Sequence, residues 1–441
     1  MKQHKYFLIF LLFWLGLNLF TSSRLGLYSD EAYYWMYSQF LDWGYFDHPP
    51  AVAVMIWQGN FLDKSEIAVR LFTILFTSTA ISIIYLLVKP KNVLVFCTTI
   101  FSFLVLHIIG FVSLPDTPFF LSAILFLLSY RFYLEDKSIR NQILMSLTAA
   151  VMVYCKYHGC VVIMFTLLSN LRLLKDYRTY LIGLIVLALL SPHIYWQFVN
   201  GFPSISYHLA DRATPAYKIS QTLDYLFGNL PFLGGLVSVA LFAASAFYKP
   251  INKWEKALKC NLFGMYIFFF LITFKGQYIE ANWTLFCVFP MIVLGYKHLE
   301  DSRFFNSYKY LTFAFTFFML ILRFHLLWPL VKMEKDRVWD FYGGREFATN
   351  VKNLAGDRKI VTNRYQDASI LNFYLNEPYF ITSLNMDSRA NQYSIWKFDT
   401  ILCYERVAFV NENLKNIEVT YRAFSKTYLT LTDSIAVRLC E

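Results

Sequence analysis

Residues Tyr28–Pro50 read YSDEAYYWMYSQFLDWGYFDHPP and crowd Asp30, Glu31, Asp42, Asp47 and His48 between two apolar segments. The run before it, Tyr6–Phe20, and the run after it, 66–88, are suited to a lipid bilayer by length and apolarity. Ionisable groups at such a boundary are costly, so they mark a site. Together with its flanks, the stretch predicts helices crossing a membrane with chemistry at their ends.

Composition agrees. The 441-residue chain is 57% hydrophobic and 20% aromatic but only 16% charged, and its mean hydropathy is +0.42. That balance excludes an ordinary soluble domain and predicts a polytopic membrane protein. A signal peptide is the rival reading of Tyr6–Phe20; no small-residue cleavage pattern follows, so the segment reads as an uncleaved anchor.

About eleven stretches approach the ~20-residue length that spans a bilayer. They lie near 5–22, 66–88, 92–113, 117–134, 142–157, 159–173, 179–199, 223–248, 257–274, 281–297 and 307–330. The two around Val151 and Val161 are short and parted only by Lys156-Tyr157-His158-Gly159, which reads as a broken hairpin or a bent helix. Base clusters in alternate turns: Lys2 and Lys5, Lys89 and Lys91, Arg131, Lys137 and Arg140, Arg172, Lys175 and Arg178, Lys249, Lys253 and Lys256, and Lys297, Arg303 and Lys309. By the positive-inside rule these turns are cytoplasmic, with the N-terminus inside and the C-terminal tail outside. The net charge of +10 is thus a topological signal and gives no support to nucleic-acid binding.

From about Val331 the apolar runs stop. Alternating stretches such as Lys359-Ile360-Val361 and Val407-Ala408-Phe409-Val410 predict strands within a small extracytoplasmic α/β or α+β domain, 331–441. Cys403 and Cys440 lie in it, where a disulfide is permitted. Cys97, Cys155, Cys160, Cys260 and Cys287 have no metal-ligand spacing and read as packing residues. No internal repeat or low-complexity segment is present.

Polar groups recur at the outer ends of the spans. They are Asp116 in Ser113-Leu114-Pro115-Asp116-Thr117-Pro118, Lys156 and His158, His208 with Asp211 and Arg212, and Lys275 through Asn282-Trp283. Scattered loop charges are the plain alternative. Their placement beside Pro, Gly and aromatics in otherwise charge-poor turns weighs against it.

The order Asp30-Glu31, Asp47-His48-Pro49-Pro50, Pro115-Asp116-Thr117-Pro118, Lys156-Tyr157-His158-Gly159 and Asn282-Trp283 resembles the integral-membrane glycosyltransferases that use polyprenyl-phosphate sugars. These are glycosyltransferase family 39 of the GT-C superfamily, the protein mannosyltransferase and lipid A aminoarabinose transferase relatives. The resemblance covers residues 1–330, as a transmembrane domain with interfacial helices at about 29–65. It implies a sugar donor linked to polyprenyl phosphate, an acceptor hydroxyl on a lipid, glycan or protein, and a place in the inner (plasma) membrane. Many relatives carry Lys-Pro-Pro where this chain has His48-Pro49-Pro50.

Glycosyl transfer from a lipid phosphate needs a base for the acceptor proton and cations for the departing phosphate. Asp30 is the candidate base, with Glu31 beside it raising its proton affinity; the plain reading of Asp30 is a helix N-cap. For phosphate the candidates are Lys275, Arg212, Lys156, His48 and His158, while snorkelling is the plain reading of Lys156 and Lys275. Asp47 and Asp116 suit sugar hydroxyls, helix capping or, with His208, a divalent cation; no cofactor is implied and no strong metal-ligand motif is present. The aromatics Tyr33, Tyr34, Trp35, Tyr37, Trp43, Tyr45 and Phe46 read as an interfacial belt, with Ala32–Phe40 lying along the membrane surface. His107 and His193 read as packed, hydrogen-bonded bundle residues, and His4, His298 and His325 as boundary residues. Transport or flipping of a lipid-linked glycan, and polymer ligation from diphosphate-linked chains, are the rival functions; spans nearly free of charge and without repeats favour the transferase over the transporter.

Overall fold

The computed structural model describes residues 2–207, 217–276, 279–331, 336–385, 389–396, 407–411, 417–418 and 428–432. His208, Asp211, Arg212, Cys403 and Cys440 lie outside these.

The first half of the bundle is α1 (Lys2–Arg24), α2 (Ser29–Gln39), α3 (Ala51–Trp57), α4 (Glu66–Val88), α5 (Val93–Phe101), α6 (Leu104–Ile109), α7 (Asp116–Glu135), α8 (Ile139–Cys155), α9 (His158–Ser169) and α10 (Tyr177–Val199). The second half is α11 (Ile219–Phe247), α12 (Lys253–Thr273) and α13 (Phe305–Leu327). Among the described residues seven of these, α1, α4, α7, α10, α11, α12 and α13, are long and apolar enough to cross a membrane. α8 and α9 are shorter apolar helices that part at Lys156 and Tyr157, as the broken-hairpin reading predicts.

Two stretches predicted as single spans are built from pieces. The 92–113 run breaks between α5 and α6 at Ser102 and Phe103, and 281–297 is a chain of short helical turns buried without a break from Thr284 to Tyr296. A helix apolar on every side belongs in the middle of a bundle. Two glycines admit close approach nearby. A Cβ on Gly235, whose φ is 58°, would stand 1.9 Å from the Phe315 ring, and one on Gly295 would stand 2.4 Å from the Leu241 carbonyl oxygen. Of each helix's apolar window, 67% is covered by protein in α7 but only 28% in α1 and α10 and 17% in α13, so the last three present most of their side chains outward, to lipid.

The bundle has two chemically different ends. At one, the basic turns pair with one another: Lys91 with Asp301, Lys137 with Asp176 at 2.5 Å and Lys297 with Glu255 at 3.3 Å. At the other, α1 finishes, α4 and α7 begin, α8 finishes, and the Tyr28–Pro50 stretch folds. The spans also hold two buried arginines, Arg70 in α4 and Arg323 in α13, so they are less free of charge than the sequence reading has them. Arg323 donates to Asn18, Thr21 and His107, tying α1, α6 and α13 together. His107 is thereby packed and hydrogen-bonded inside the bundle, as predicted.

The tail carries α14 (Gly344–Ala355), α15 (Tyr365–Tyr374) and five strands, β1 (Lys359–Thr362), β2 (Thr382–Ser383), β3 (Val407–Asn411), β4 (Ile417–Glu418) and β5 (Tyr428–Thr432). They form a mixed sheet in the order β2-β1-β3-β5-β4, with β1 parallel to β2 and β3, and β5 antiparallel to β3 and β4. β1 and β3 fall on the two stretches predicted as strands. α15 packs on α2, and one hydrophobic cluster runs from Leu27, Tyr33 and Met55 to Phe347, Ile370 and Val410. The belt reading of the aromatics is therefore corrected. Tyr33, Tyr34, Trp35, Tyr37, Tyr45 and Phe46 are buried beneath the tail, and of the predicted belt Trp43 alone is exposed.

Candidate functional site

α2 begins after Tyr28, whose extended backbone (φ −66°, ψ 146°) makes it the N-cap. Asp30 is thus the second helical residue and not the cap, and it is half-buried. An acid in the first turn is favoured by the helix dipole. Glu31 reaches back to accept from the Tyr28 N–H at 3.2 Å, one half of a capping box.

Glu31 is wholly buried and grips Arg70 through both oxygens, Nε to Oε1 at 2.9 Å and Nη2 to Oε2 at 2.6 Å. Its Oε1 also accepts from the Ser113 N–H at 2.9 Å. Arg70 spends its remaining donors on the carbonyls of Leu25, at 2.8 Å, and Gly26, at 2.7 Å. One carboxylate therefore joins the end of α1, the start of α2, α4 and the turn before α7. Arg70 thus compensates the charge of Glu31, the sequence neighbour of Asp30.

Asp47 is buried. Its Oδ2 accepts from the hydroxyls of Tyr33 at 2.9 Å and Tyr37 at 3.3 Å, and its Oδ1 from Arg389 Nη1 at 2.7 Å. Asp42 accepts from the Trp196 indole N–H at 2.7 Å, and the Trp43 carbonyl bonds His193 at 2.7 Å, which fastens the loop to α10. His193 also meets the Tyr157 hydroxyl at 3.1 Å, inside the packing predicted for it. The His48 ring stands edge-on to Tyr34 with centroids 5.7 Å apart.

Asp116 opens α7 and brings three motifs together. Its Oδ1 is paired with Lys156 Nζ at 2.8 Å and its Oδ2 accepts from the Asn282 amide at 3.0 Å. Both members of the pair are buried, so Lys156 does not snorkel to the surface. His158 lies 5.2 Å from Trp283 and 5.3 Å from Phe269, in an aromatic cluster beside Asp116. Lys275 is exposed at the end of α12, near Gly276 with φ 73°.

The Tyr34 phenol sits among the acids. Its pKa is pushed well above 10, first by burial and then by the fields of Asp30, Asp47 and Asp116. Tyr365, from α15, is raised likewise by burial and then by Asp30, while Arg389 opposes the rise. Burial alone would lower the Arg389 guanidinium, but the charge of Asp47, the Tyr365 and Tyr207 phenols and the hydrogen bond to Asp47 together outweigh it, and the group stays charged. Acids from α2, the Tyr45–Pro50 loop and α7 thus all act on one phenol, and cations from the α8–α9 turn and the tail are paired to two of them. Among the described residues no three of His, Cys, Asp and Glu converge as a metal-ligand set, and Asp47 and Asp116 bind Arg389 and Lys156.

Sequence reasoning misses Arg70, Tyr365, Arg389 and the tyrosines as partners of the acids. An arginine inside an apolar span is a readable signal for Arg70. Arg389 has none, being one base among many in a polar tail.

Residues 47–196 match the family model described as dolichyl-phosphate-mannose-protein mannosyltransferase. No curated protein matches the sequence. Among solved structures, ArnT from Cupriavidus metallidurans in the apo state is similar over 97% of this chain and 98% of that one, with 11% identity and a TM-score of 0.67. The same protein bound to undecaprenyl phosphate gives 12% identity over 96% and 98%, also at 0.67. The family model and the shared fold agree with the resemblance carried by the motifs.

Proposed function

We propose that the chain is a glycosyltransferase that moves a sugar from a polyprenyl-phosphate carrier to a hydroxyl of a lipid, glycan or protein acceptor, with inversion at the anomeric carbon. The observation that carries this reading is the gathering of Asp116 with Lys156 and Asn282, and of Asp47 with Arg389, beside Asp30 at the end of the bundle opposite the paired basic turns. The fold shared with a protein solved with undecaprenyl phosphate supports the lipid-linked donor. By the positive-inside rule the site faces away from the cytoplasm of a plasma membrane, where no nucleotide sugar is needed and no nucleotide-binding fingerprint is expected.

Asp30 is the base. It is half-buried at the start of α2, in the Asp30-Glu31 motif that heads the first outer loop, and its field reaches the buried phenols of Tyr34 and Tyr365. In the reaction the acceptor oxygen attacks the anomeric carbon, its proton passes to Asp30, and the bond from that carbon to the phosphate oxygen breaks with the electron pair staying on phosphate. Lys275 is assigned to the leaving phosphate by its place at the head of the Asn282-Trp283 motif, and Arg212 by its guanidinium, which can grip phosphate bidentately.

Mass spectrometry of surface lipids, glycans and proteins from a deletion strain names the missing sugar. Purified protein is then given the labelled polyprenyl-phosphate form of that sugar. Asp30→Asn is expected to slow transfer by about 10²- to 10⁴-fold, the usual worth of a positioned base, while still binding undecaprenyl phosphate. Undiminished turnover removes Asp30 from the mechanism, and vesicle transport without any glycosidic product overturns the transferase reading.

A further inference from the structure

We infer that Arg389, delivered by the C-terminal segment and not by the bundle, is a phosphate-binding residue of this site, one face of its guanidinium held by Asp47 and the rest offered to the phosphate of the lipid carrier. The inference rests on the glycosyltransferase reading and adds a residue to it.

Arg389 is held in place from both sides. The segment that carries it is latched to the Tyr28–Pro50 stretch by two backbone bonds: the Gln392 N–H donates to the Tyr33 hydroxyl at 2.8 Å, and the Phe46 N–H donates to Gln392 Oε1 at 2.8 Å. Tyr393 lies nearly parallel to Tyr33, with an interplanar angle of 16° and centroids 6.3 Å apart. The guanidinium carbon stands 4.3 Å from the Tyr207 ring centre, 5.6 Å from that of Tyr365 and 6.0 Å from that of Phe46. A planar cation clamped by a latch and walled by rings is preorganised, and little freedom remains to be lost when an anion binds.

The division of exposure gives the direction of the interaction. The Asp47 side chain is 6% exposed, whereas that of Arg389 is 37% exposed. The acid is consumed in holding the cation: its Oδ2 takes two tyrosine hydroxyls and its Oδ1 takes one guanidinium nitrogen. A guanidinium has five N–H donors, and among the described residues Asp47, the Ala390 carbonyl and the Tyr365 hydroxyl occupy only part of them. What remains is a fork suited to two phosphate oxygens. The Tyr365 ring, 5.6 Å from the guanidinium carbon, also lies in the field of Asp30, the proposed base. As the bond from sugar to phosphate breaks, negative charge grows on the phosphate oxygens, and a fixed cation stabilises it.

The test uses full-length protein in phosphatidylcholine nanodiscs, titrated with undecaprenyl phosphate and, separately, with phosphatidylglycerol. Arg389→Gln is expected to weaken undecaprenyl-phosphate binding tenfold or more, and Arg389→Lys to retain part of it. Because Arg389→Gln leaves Asp47 buried without its cation, the double variant Asp47→Asn/Arg389→Gln decides between roles. Continued loss of binding in a folded double variant supports a phosphate ligand; recovery to the wild-type affinity means that Arg389 only neutralises Asp47 and overturns the inference. Phosphatidylglycerol competing as well as undecaprenyl phosphate also overturns it, in favour of a general headgroup contact. Wild-type protein that binds no undecaprenyl phosphate removes the glycosyltransferase reading itself, whereas wild-type binding matched by both variants removes only Arg389.

Discussion

At the scale of single residues, the site is a set of acids whose roles are divided by their partners. Glu31 and Asp30 are adjacent in sequence, yet one is sealed against Arg70 and the other stands half-buried near Tyr34 and Tyr365. Removing one member of a buried pair strands the other charge and typically costs about 3–5 kcal/mol. We therefore expect Arg70→Met to lower the thermal unfolding midpoint sharply in detergent, and Glu31→Gln/Arg70→Met to recover part of the loss, since the stranded charge is gone. An Arg70→Met protein as stable as wild type would show that the pair does not hold the site together. Lys156→Met is expected to act similarly through Asp116, with an added loss of transfer because Asp116 also organises Asn282. Sequence reasoning picks out Asp30, Asp47, Asp116, Lys156 and Asn282, because ionisable groups beside Pro and Gly at span ends are conspicuous. It does not reveal which acid is neutralised, since each pairing joins residues tens to hundreds of positions apart.

At the scale of elements, α2 is the piece on which bundle, loop and tail all meet. Its tyrosines 33, 34 and 37 have pKa values pushed well above 10, with burial the largest cause. The sign follows from linkage. Above pH 10 the unfolded phenols release protons that the folded ones keep, so stability is fully present below pH 10 and declines as pH rises beyond it. Thermal midpoints measured from pH 8 to 11 should fall above 10, and Tyr34→Phe should flatten that fall. The entry to α4 is equally constrained. A Cβ on Gly59 would stand 1.9 Å from the Ala68 carbonyl oxygen, two residues before Arg70. Gly59→Ala is expected to cost about 1–3 kcal/mol or more through overpacking and to reduce transfer by shifting Arg70. Unfolding and activity assays on that variant check both. The 3.6-residue periods and apolar lengths of α1, α4, α7, α10, α12 and α13 are legible in the sequence. The burial of α2 is not, because an aromatic helix at a membrane boundary has the same composition whether water or another domain covers it.

At the scale of the whole molecule, the segregation of ion pairs gives the protein its direction. The turns rich in base pair with one another at one end, and the acids of the site gather at the other. With the basic end in the cytoplasm, a single cysteine placed in the 137–140 turn should react with an impermeant maleimide only after cells are opened, and one placed at the exposed Arg345 should react in intact cells. The reverse pattern would invert the orientation. The tail is part of the site's architecture, since one hydrophobic cluster crosses from α2 and α3 into α14, α15 and the sheet. By itself the sequence determined the membrane class, the segments that form long helices and the two main strands of the small sheet after them. Those follow from local hydropathy, charge and period, which each segment carries alone. Only the tertiary structure decided that Glu31 is paired, that Asp47 is held by an arginine 342 residues away, and that the tail closes over α2. Such pairings are set by which buried charges and apolar faces must be matched at once, and no single stretch of chain contains that condition.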